Sequence, residues 1–204
     1  NVTQLVEKPS EPKTDLALVG VYLFSNKILE ACHAIEPSPR GELEITDAIQ
    51  WLIDKGHVVH PTVIDGWWKD TGKLHDMLEA NRIVLDTLEP RVDGTLDDTS
   101  EVQGRVVIEA GATLVNSFVR GPAIIGKGTK LVNTFVGPYT SIYHSCVIED
   151  SEIEHSIVLE ETTIRDIQRL EDSLIGKQVE VGRSDLKPRA YRLMLGDHSK
   201  VGLI

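Results

Sequence analysis

Two different hydrophobic rhythms divide the chain. Over residues 1–88 apolar and polar positions alternate between strand-like and helix-like patterns, as in an α/β layer. Leu16 to Phe24 is a continuous apolar run, the pattern of a strand buried on both faces. Ser25 is placed to cap a helix over 27–36 with Ile28, Leu29, Cys32 and Ile35 on one side. Pro37 to Gly41 reads as a loop, and a second helix follows over 45–55, with Ile45, Ala48, Ile49, Leu52 and Ile53 apolar and Gly56 as its stop. Val58 to Ile64 is a further strand candidate, bent by Pro61. Leu74, Met77, Leu78, Val84, Leu85 and Leu88 mark a third amphipathic helix over 74–88. So few strands cannot close a doubly covered sheet, which predicts that the other half of this domain is missing from the chain. The start, Asn1-Val2-Thr3-Gln4, reads likewise as the interior of a longer polypeptide. Residues 89–100 are polar, contain Pro90 and Gly94, and read as a linker.

From residue 101 onward the rhythm is an internal repeat. Ile108, Ile125 and Ile142 are spaced by 17 residues, and so are Leu114, Leu131 and Ile148, and Val119, Val136 and Ile153. The register slips by one in the fourth period, where Val158 and Ile164 precede Ile175 and Val181 by 17. Three short aliphatic strands per period describe a triangular coil, each of whose sides sends one aliphatic residue inward onto its equivalent in the next coil. The expected fold is an α/β fragment, 1–88, then the linker, then a left-handed parallel β-helix of hexapeptide repeats over 101–204. Four to five coils span 102–181, and 187–204 caps the open end.

Composition narrows the chemistry. Hydrophobic content of 41% and charged content of 26% are ordinary for a folded globular chain. A net charge of -11 argues against a nucleic-acid surface, which needs a basic face to displace counterions. Cys32 and Cys146 are too far apart for a metal knuckle or a Cys-x-x-Cys pair, which favours a reducing, cytoplasmic setting. No apolar run is long enough to cross a membrane.

Candidate chemistry lies in two short motifs. Gly66-Trp67-Trp68-Lys69-Asp70-Thr71-Gly72 presents a carboxylate in a turn after an apolar segment, and Glu7-Lys8-Pro9 sets an acid beside a cation. Together they suit a site that grips an anionic phosphate substrate and its metal. Each has a plainer reading: Glu7-Lys8-Pro9 as a solvated turn, Asp70-Thr71-Gly72 as a helix cap, the tryptophans as packing, and Glu42 and Asp47 as parts of the second helix's cap.

Taken in order, Glu7-Lys8-Pro9, Val19-Gly20-Val21-Tyr22, Gly41-Glu42-Leu43-Glu44-Ile45-Thr46-Asp47 and the Gly66–Gly72 motif resemble the sugar-1-phosphate nucleotidylyltransferases, in particular glucose-1-phosphate thymidylyltransferases of the long form with a C-terminal β-helix. The resemblance covers essentially the whole chain and implies the C-terminal part of a Rossmann-like nucleotidyltransferase domain. It implies that a sugar 1-phosphate, expected to be glucose 1-phosphate, attacks a nucleoside triphosphate, expected to be dTTP, with Mg²⁺ as cofactor. Lys8 would bind the sugar phosphate, Glu7 would accept hydrogen bonds from sugar hydroxyls, backbone at Val19 and Gly20 would line the sugar, and Asp70 would hold the metal with a second Asp from the absent half. The family's Gly-rich, Arg-containing nucleotide loop has no counterpart in 1–88, so the chain alone is expected to be inactive. Two further roles concern the β-helix. His144 and His155, the histidines within the coils, allow an acyltransferase acting on a sugar phosphate. Phe118 and Phe135, on successive coils, allow an exposed apolar stripe that serves regulation or the formation of a homo-oligomer.

Overall fold

The computed structural model describes residues 1–183, 193–196 and 199–202, in two compact units, 1–67 and 68–204. In the first unit, helices α1 (Lys27–Ala34) and α2 (Ile45–Asp54) pack on each other through Ala31, Ala48 and Leu52, ringed by half-buried Ile28, Ile35, Ile45 and Trp51. The paired alanines let the two backbones approach closely, and Trp51 and the isoleucines close the sides. Gly56 ends α2 at φ +82°, a conformation open to glycine without steric cost. The expected N-cap, Ser25, is displaced by Asn26, whose side chain makes no capping bond. Leu29 and Cys32, expected on the packed side of α1, are exposed.

Neither apolar run of this unit is a strand. Leu16–Phe24 is irregular, with Val21 85% and Leu23 99% exposed. A strand needs a neighbouring backbone to take its N–H and C=O groups, and among the described residues none pairs with this segment. The continuous hydrophobicity records an environment covered on both faces, which this unit does not supply. Extended geometry survives locally, since Tyr22 and Phe24, two positions apart, stack with ring centroids 5.7 Å apart. Val58–Ile64 is likewise irregular and mostly exposed, tied by one bond from Val2 N–H to Val59 O (3.1 Å).

The second unit consists of α3 (Leu74–Leu85) and a parallel β-helix. Its first coil holds β1 (Arg91–Val92), β2 (Thr95–Leu96) and β3 (Glu101–Gln103); the second β4 (Val106–Ile108), β5 (Thr113–Val115) and β6 (Phe118–Arg120). The third holds β7 (Ala123–Ile125), β8 (Lys130–Val132) and β9 (Phe135–Val136); the fourth β10 (Thr140–Ile142), β11 (Val147–Glu149) and β12 (Glu152–Ile153). Then come β13 (Ile157–Val158), β14 (Thr163–Arg165), β15 (Leu174–Ile175) and β16 (Glu180–Gly182). Parallel pairing joins them into three sheets, β1-β4-β7-β10-β13-β15, β2-β5-β8-β11-β14-β16 and β3-β6-β9-β12.

The register follows the repeat in the sequence. Ile108, Ile125, Ile142, Val158 and Ile175 pair in one column, Leu114, Leu131, Ile148, Ile164 and Val181 in the second, and Val119, Val136 and Ile153 in the third, which Leu170 continues as a bridge. The one-residue slip is real: Ile142 pairs with Val158, and Ile148 with Ile164, 16 residues on. These columns are the core of the unit, and their central members are almost fully buried. Small hydroxyls stitch the corners. Thr129 Oγ1 donates to Tyr143 O (2.7 Å) and accepts from Cys146 N–H (3.1 Å), while Ser117 Oγ donates to Val115 O (2.8 Å) and accepts from Thr134 N–H (3.2 Å). Among the described residues no buried side-chain polar atom lacks a partner.

Residues 89–100, expected to be a linker, instead contribute β1 and β2. The segment is polar because a terminal coil has one stacking face to solvent, and its polar side chains are put to structural use. Asp97 accepts from Ser100 Oγ (2.6 Å), Thr99 Oγ1 (2.8 Å) and Asn116 N–H (3.2 Å). The cap expected over 187–204 falls largely outside the described residues.

Helix α3 is bonded to the first sheet: Asn81 Nδ2 donates to Tyr139 O (3.0 Å), Ser141 Oγ donates to Asn81 Oδ1 (2.5 Å), and Arg105 Nη1 donates to Asp86 O (2.5 Å). Val107, which alternates with the core residues Val106 and Ile108 and so faces outward, is nevertheless buried. Leu78 and Leu85 are buried on the helix, whereas Met77 and Val84 are exposed. The helix begins at Lys73, whose N–H donates to Asp76 Oδ2 (3.2 Å), and Lys69 Nζ lies 3.1 Å from Asp76 Oδ1.

Two outcomes follow. Ile125→Ala empties the centre of a column and should lower unfolding free energy by about 2–5 kcal/mol in chemical denaturation. The Asp76 carboxyl is held below its ordinary value, first by the Lys69 hydrogen bond, which outweighs the opposing effect of burial, and then by the charges of His75 and Lys69 and the Lys73 N–H. A lowered folded value means that its contribution to the start of α3 is complete above the unfolded carboxyl value and is lost as pH falls through the folded one. NMR titration should show Asp76 protonating below the ordinary aspartate value, and Asp76→Asn should remove that acid-side loss.

Candidate functional site

In the first unit the segment leading to Glu7 is tied to α2. Leu5 N–H donates to Gln50 Oε1 (2.7 Å), and Thr46 Oγ1, one residue into the helix, donates to Glu7 Oε2 (2.9 Å). The other carboxylate oxygen, Oε1, accepts from Arg40 Nη1 at 3.3 Å. Arg40 also donates from Nη2 to Glu42 (2.9 Å) and from Nη1 to Glu44 (3.3 Å), and Glu44 accepts from Ser38 Oγ (2.9 Å). One guanidinium thus serves three carboxylates, and Glu44 and Thr46 at the start of α2 are both buried. The loop over 37–41 brings Arg40 to this place; Ser38 and Gly41 are joined by a turn bond of 2.8 Å, and Gly41 has φ +78°.

Lys8 follows Glu7 with φ +37°, a left-handed backbone uncommon for a side-chain-bearing residue. Its side chain is exposed and, among the described residues, forms no ion pair. A carboxylate fixed at both oxygens therefore stands next to an ammonium open to an anion. Val19 and Gly20 lie in the irregular segment, where Val19 O accepts from Val21 N–H (2.9 Å); no hydrogen bond joins them to Glu7 or Lys8. Gly20 has open space where a Cβ would be.

Asp70 belongs to the second unit. It is exposed, and its Oδ1 accepts from Gly72 N–H at 3.0 Å, an Asx-type turn that holds the carboxylate at the end of the Trp-Trp-Lys-Asp-Thr-Gly motif. The N-cap of α3 is Lys73, whose N–H is taken by Asp76, so Asp70 does not cap the helix, and its Oδ2 oxygen has no partner among the described residues. Lys69 is committed to Asp76. Trp67 and Trp68, at least one of which is expected to pack, are both more than half exposed. As a hard oxygen donor Asp70 fits one position in the shell of a divalent cation, but no three metal-ligating side chains gather among the described residues.

On the β-helix, the His144 ring stacks on Tyr143, and its Nε2 is 3.7 Å from Glu109. His155 Nδ1 is bonded to the Asp172 carboxylate. Phe118 and Phe135 pair across β6 and β9 with ring centroids 5.8 Å apart, and Arg120 lies over Phe118. Beside them runs a ladder from Asn116 Nδ2 to Asn133 Oδ1 (3.0 Å) and from Asn133 Nδ2 to Asp150 Oδ1 (2.6 Å).

The roles of Arg40 and Thr46 were not apparent in the sequence. They stand 33 and 39 residues from Glu7, beyond any helical or strand periodicity. The alternation of Arg40 with Glu42 and Glu44 was the one local signal of an ion-pair hub.

Comparison with known proteins agrees with this picture. Residues 1–87 match the family model described as nucleotidyl transferase. Across 98% of its length the chain is 58% identical to a glucose-1-phosphate thymidylyltransferase of Streptomyces griseus and 55% identical to one of Streptomyces antibioticus, covering 56% of each. It is 46% identical over its whole length to the low-salt glycan biosynthesis nucleotidyltransferase Agl11 of Haloferax volcanii, of which it covers 58%. The chain thus spans little more than half the length of these relatives. Residues 1–87 thus match the nucleotidyl transferase family, and with the β-helix of the second unit the chain is similar to these relatives over nearly its whole length.

Proposed function

We propose that the protein is the C-terminal portion of a sugar-1-phosphate nucleotidylyltransferase that makes a nucleotide sugar from glucose 1-phosphate and dTTP. In that reaction a phosphate oxygen of the sugar bonds to the α-phosphorus of the triphosphate, the bond to the β-phosphate breaks, and pyrophosphate leaves. The observation that carries the reading is the juxtaposition of an immobilised carboxylate and an open ammonium at Glu7-Lys8. Each oxygen of Glu7 already accepts one hydrogen bond and keeps acceptor capacity for a sugar hydroxyl. The Lys8 ammonium suits the dianionic phosphate one residue on. Val19 and Gly20 contribute backbone to the sugar pocket, Gly20 leaving room for close approach. Such a reaction asks the protein for positioning and charge neutralisation more than for covalent chemistry.

Asp70, with one oxygen held by Gly72 N–H, would offer the other to Mg²⁺. When bound, the metal offsets negative charge on the phosphates. The thymidylyltransferase names of the two Streptomyces relatives support the choice of dTTP and glucose 1-phosphate. The setting is cytoplasmic, and no helix among the described residues is long and apolar enough to cross a membrane. The chain by itself does not turn over, since no Gly-rich triphosphate loop occurs in 1–88. The β-helix acts in assembly: the Phe118–Phe135 pair forms an apolar stripe flanked by Arg120, against which a second copy packs.

Calorimetric titration with glucose 1-phosphate should show Lys8→Ala binding roughly tenfold weaker or worse. In a hybrid carrying the remaining residues of the Streptomyces griseus relative, Asp70→Asn should cut metal-dependent pyrophosphate release from dTTP by about 100-fold or more. Undiminished release by that variant would sink the metal assignment. For assembly, sedimentation should show a multimer that Phe118→Ser with Phe135→Ser dissociates; a wild-type monomer at all concentrations would overturn the stripe as an interface.

A further inference from the structure

The Glu7 carboxylate is not simply near its neighbours; each oxygen is engaged by a donor that a different element holds in place. Thr46 is buried, and α2 fixes its backbone, so the hydroxyl that meets Oε2 at 2.9 Å has little freedom. Arg40 meets Oε1 at 3.3 Å and is itself tethered by Glu42 and by Glu44, whose carboxylate is buried and also bound by Ser38. Arg40 Nη1 stands between Glu7 and Glu44 and offsets the repulsion of two carboxylates that share one donor. A free glutamate side chain loses considerable rotamer freedom on binding a ligand. Here that loss is taken before any ligand arrives, through contacts made on folding. A carboxylate oxygen has two acceptor positions, so one remains on each oxygen after Thr46 and Arg40 are served. Two acceptors held at fixed separation match two hydroxyls on adjacent carbons of a rigid ring, and match poorly a ring that lacks one of them.

We propose that Thr46 and Arg40 are positioning residues that lock the Glu7 carboxylate so that its remaining acceptor sites select a sugar 1-phosphate carrying a vicinal diol. The inference rests on the reading of Glu7 as the sugar-binding carboxylate. It assigns to the Arg40–Thr46 pair the discrimination between sugars, and to Lys8 the grip on phosphate. The loop over 37–41 and the first turn of α2 thereby become specificity elements, although neither contacts the phosphate in this scheme.

The test is calorimetric binding of glucose 1-phosphate, of its 2-, 3- and 4-deoxy analogues, and of inorganic phosphate, to the wild-type chain and to Thr46→Val, Thr46→Ser, Arg40→Gln and Glu7→Gln. Thr46→Val preserves shape and removes the hydroxyl; Arg40 is partly exposed, so Arg40→Gln serves as the second variant should the first fold poorly. The wild type should bind at least one deoxy analogue roughly tenfold more weakly than glucose 1-phosphate, a hydrogen bond to a charged acceptor being worth about that factor. Thr46→Val and Arg40→Gln should shrink this preference and leave phosphate binding unchanged, Thr46→Ser should restore it, and Thr46→Val should add nothing in a Glu7→Gln background. A wild-type chain indifferent to the missing hydroxyl would overturn the assignment of Glu7 and the proposal with it. A wild-type preference that Glu7→Gln abolishes but Thr46→Val and Arg40→Gln leave intact would overturn the positioning role alone. Equal weakening toward every ligand, phosphate included, would mark Thr46 and Arg40 as general structural residues and also overturn the proposal.

Discussion

Everything in the second unit depends on one contact repeated: an inward aliphatic side chain resting on its counterpart in the next coil. A single coil has three short strands and no second layer, so alone it would leave its isoleucine, leucine and valine in water. Stacking removes that surface and pairs the backbone of each strand with the coils above and below. Because burial is proportional to apolar area and each column is continuous, stability accumulates along the axis and is weakest at the ends. The terminal coils show this: Leu96, Val102, Ile175 and Val181 are only partly buried, while the middle members of each column are almost completely enclosed. The same constraint explains the hydroxyls at the corners, where the chain turns and a backbone group would otherwise lose its ladder partner.

The first unit obeys a different economy. Its core is small, two helices meeting through Ala31, Ala48 and Leu52, and polar contacts do much of the ordering. The Glu7, Arg40, Glu42 and Glu44 cluster concentrates three carboxylates around one guanidinium, an arrangement whose net charge is negative and whose worth as surface ion pairing is modest. Its significance is geometric: it joins the segment around Glu7 to the start of α2 and the loop before it. A carboxylate so held stands beside a lysine that forms no ion pair among the described residues, the pairing on which the proposed sugar-phosphate reading rests. Asp70, held by its own Gly72 turn, shows the same economy in the second unit: one oxygen is used to fix the side chain and the other has no partner among the described residues.

The β-helix was legible in the sequence almost to the residue, including the one-residue slip after Ile142, because a column of stacked aliphatics writes its period directly into the chain. The linker over 89–100 was misread for a related reason: a terminal coil is polar on its open side, and polarity with Pro90 and Gly94 is also what a linker looks like. Helices α1, α2 and α3 were legible from their 3.6-residue pattern, though Leu29, Cys32, Met77 and Val84 proved exposed because pattern marks a face and only packing decides how wide that face is. The two apolar runs, Leu16–Phe24 and Val58–Ile64, were read as strands and are not, since hydrophobicity states what a segment would bury and hydrogen-bond partners decide whether it pairs.

Of the candidate site, the sequence by itself determined the motifs, the pairing of acid and cation at Glu7 and Lys8, and the carboxylate at Asp70, because these are local features of residue type and order. The tertiary structure alone decided which groups hold them: that Arg40 and Thr46 fix Glu7, that Lys69 turns to Asp76, and that Asp76 takes the N–H of Lys73, the N-cap of α3, so that Asp70 does not cap the helix. The physical reason is common to all three. A hydrogen bond between side chains distant in sequence depends on where the backbone carries each of them, and no periodicity along the chain encodes that distance.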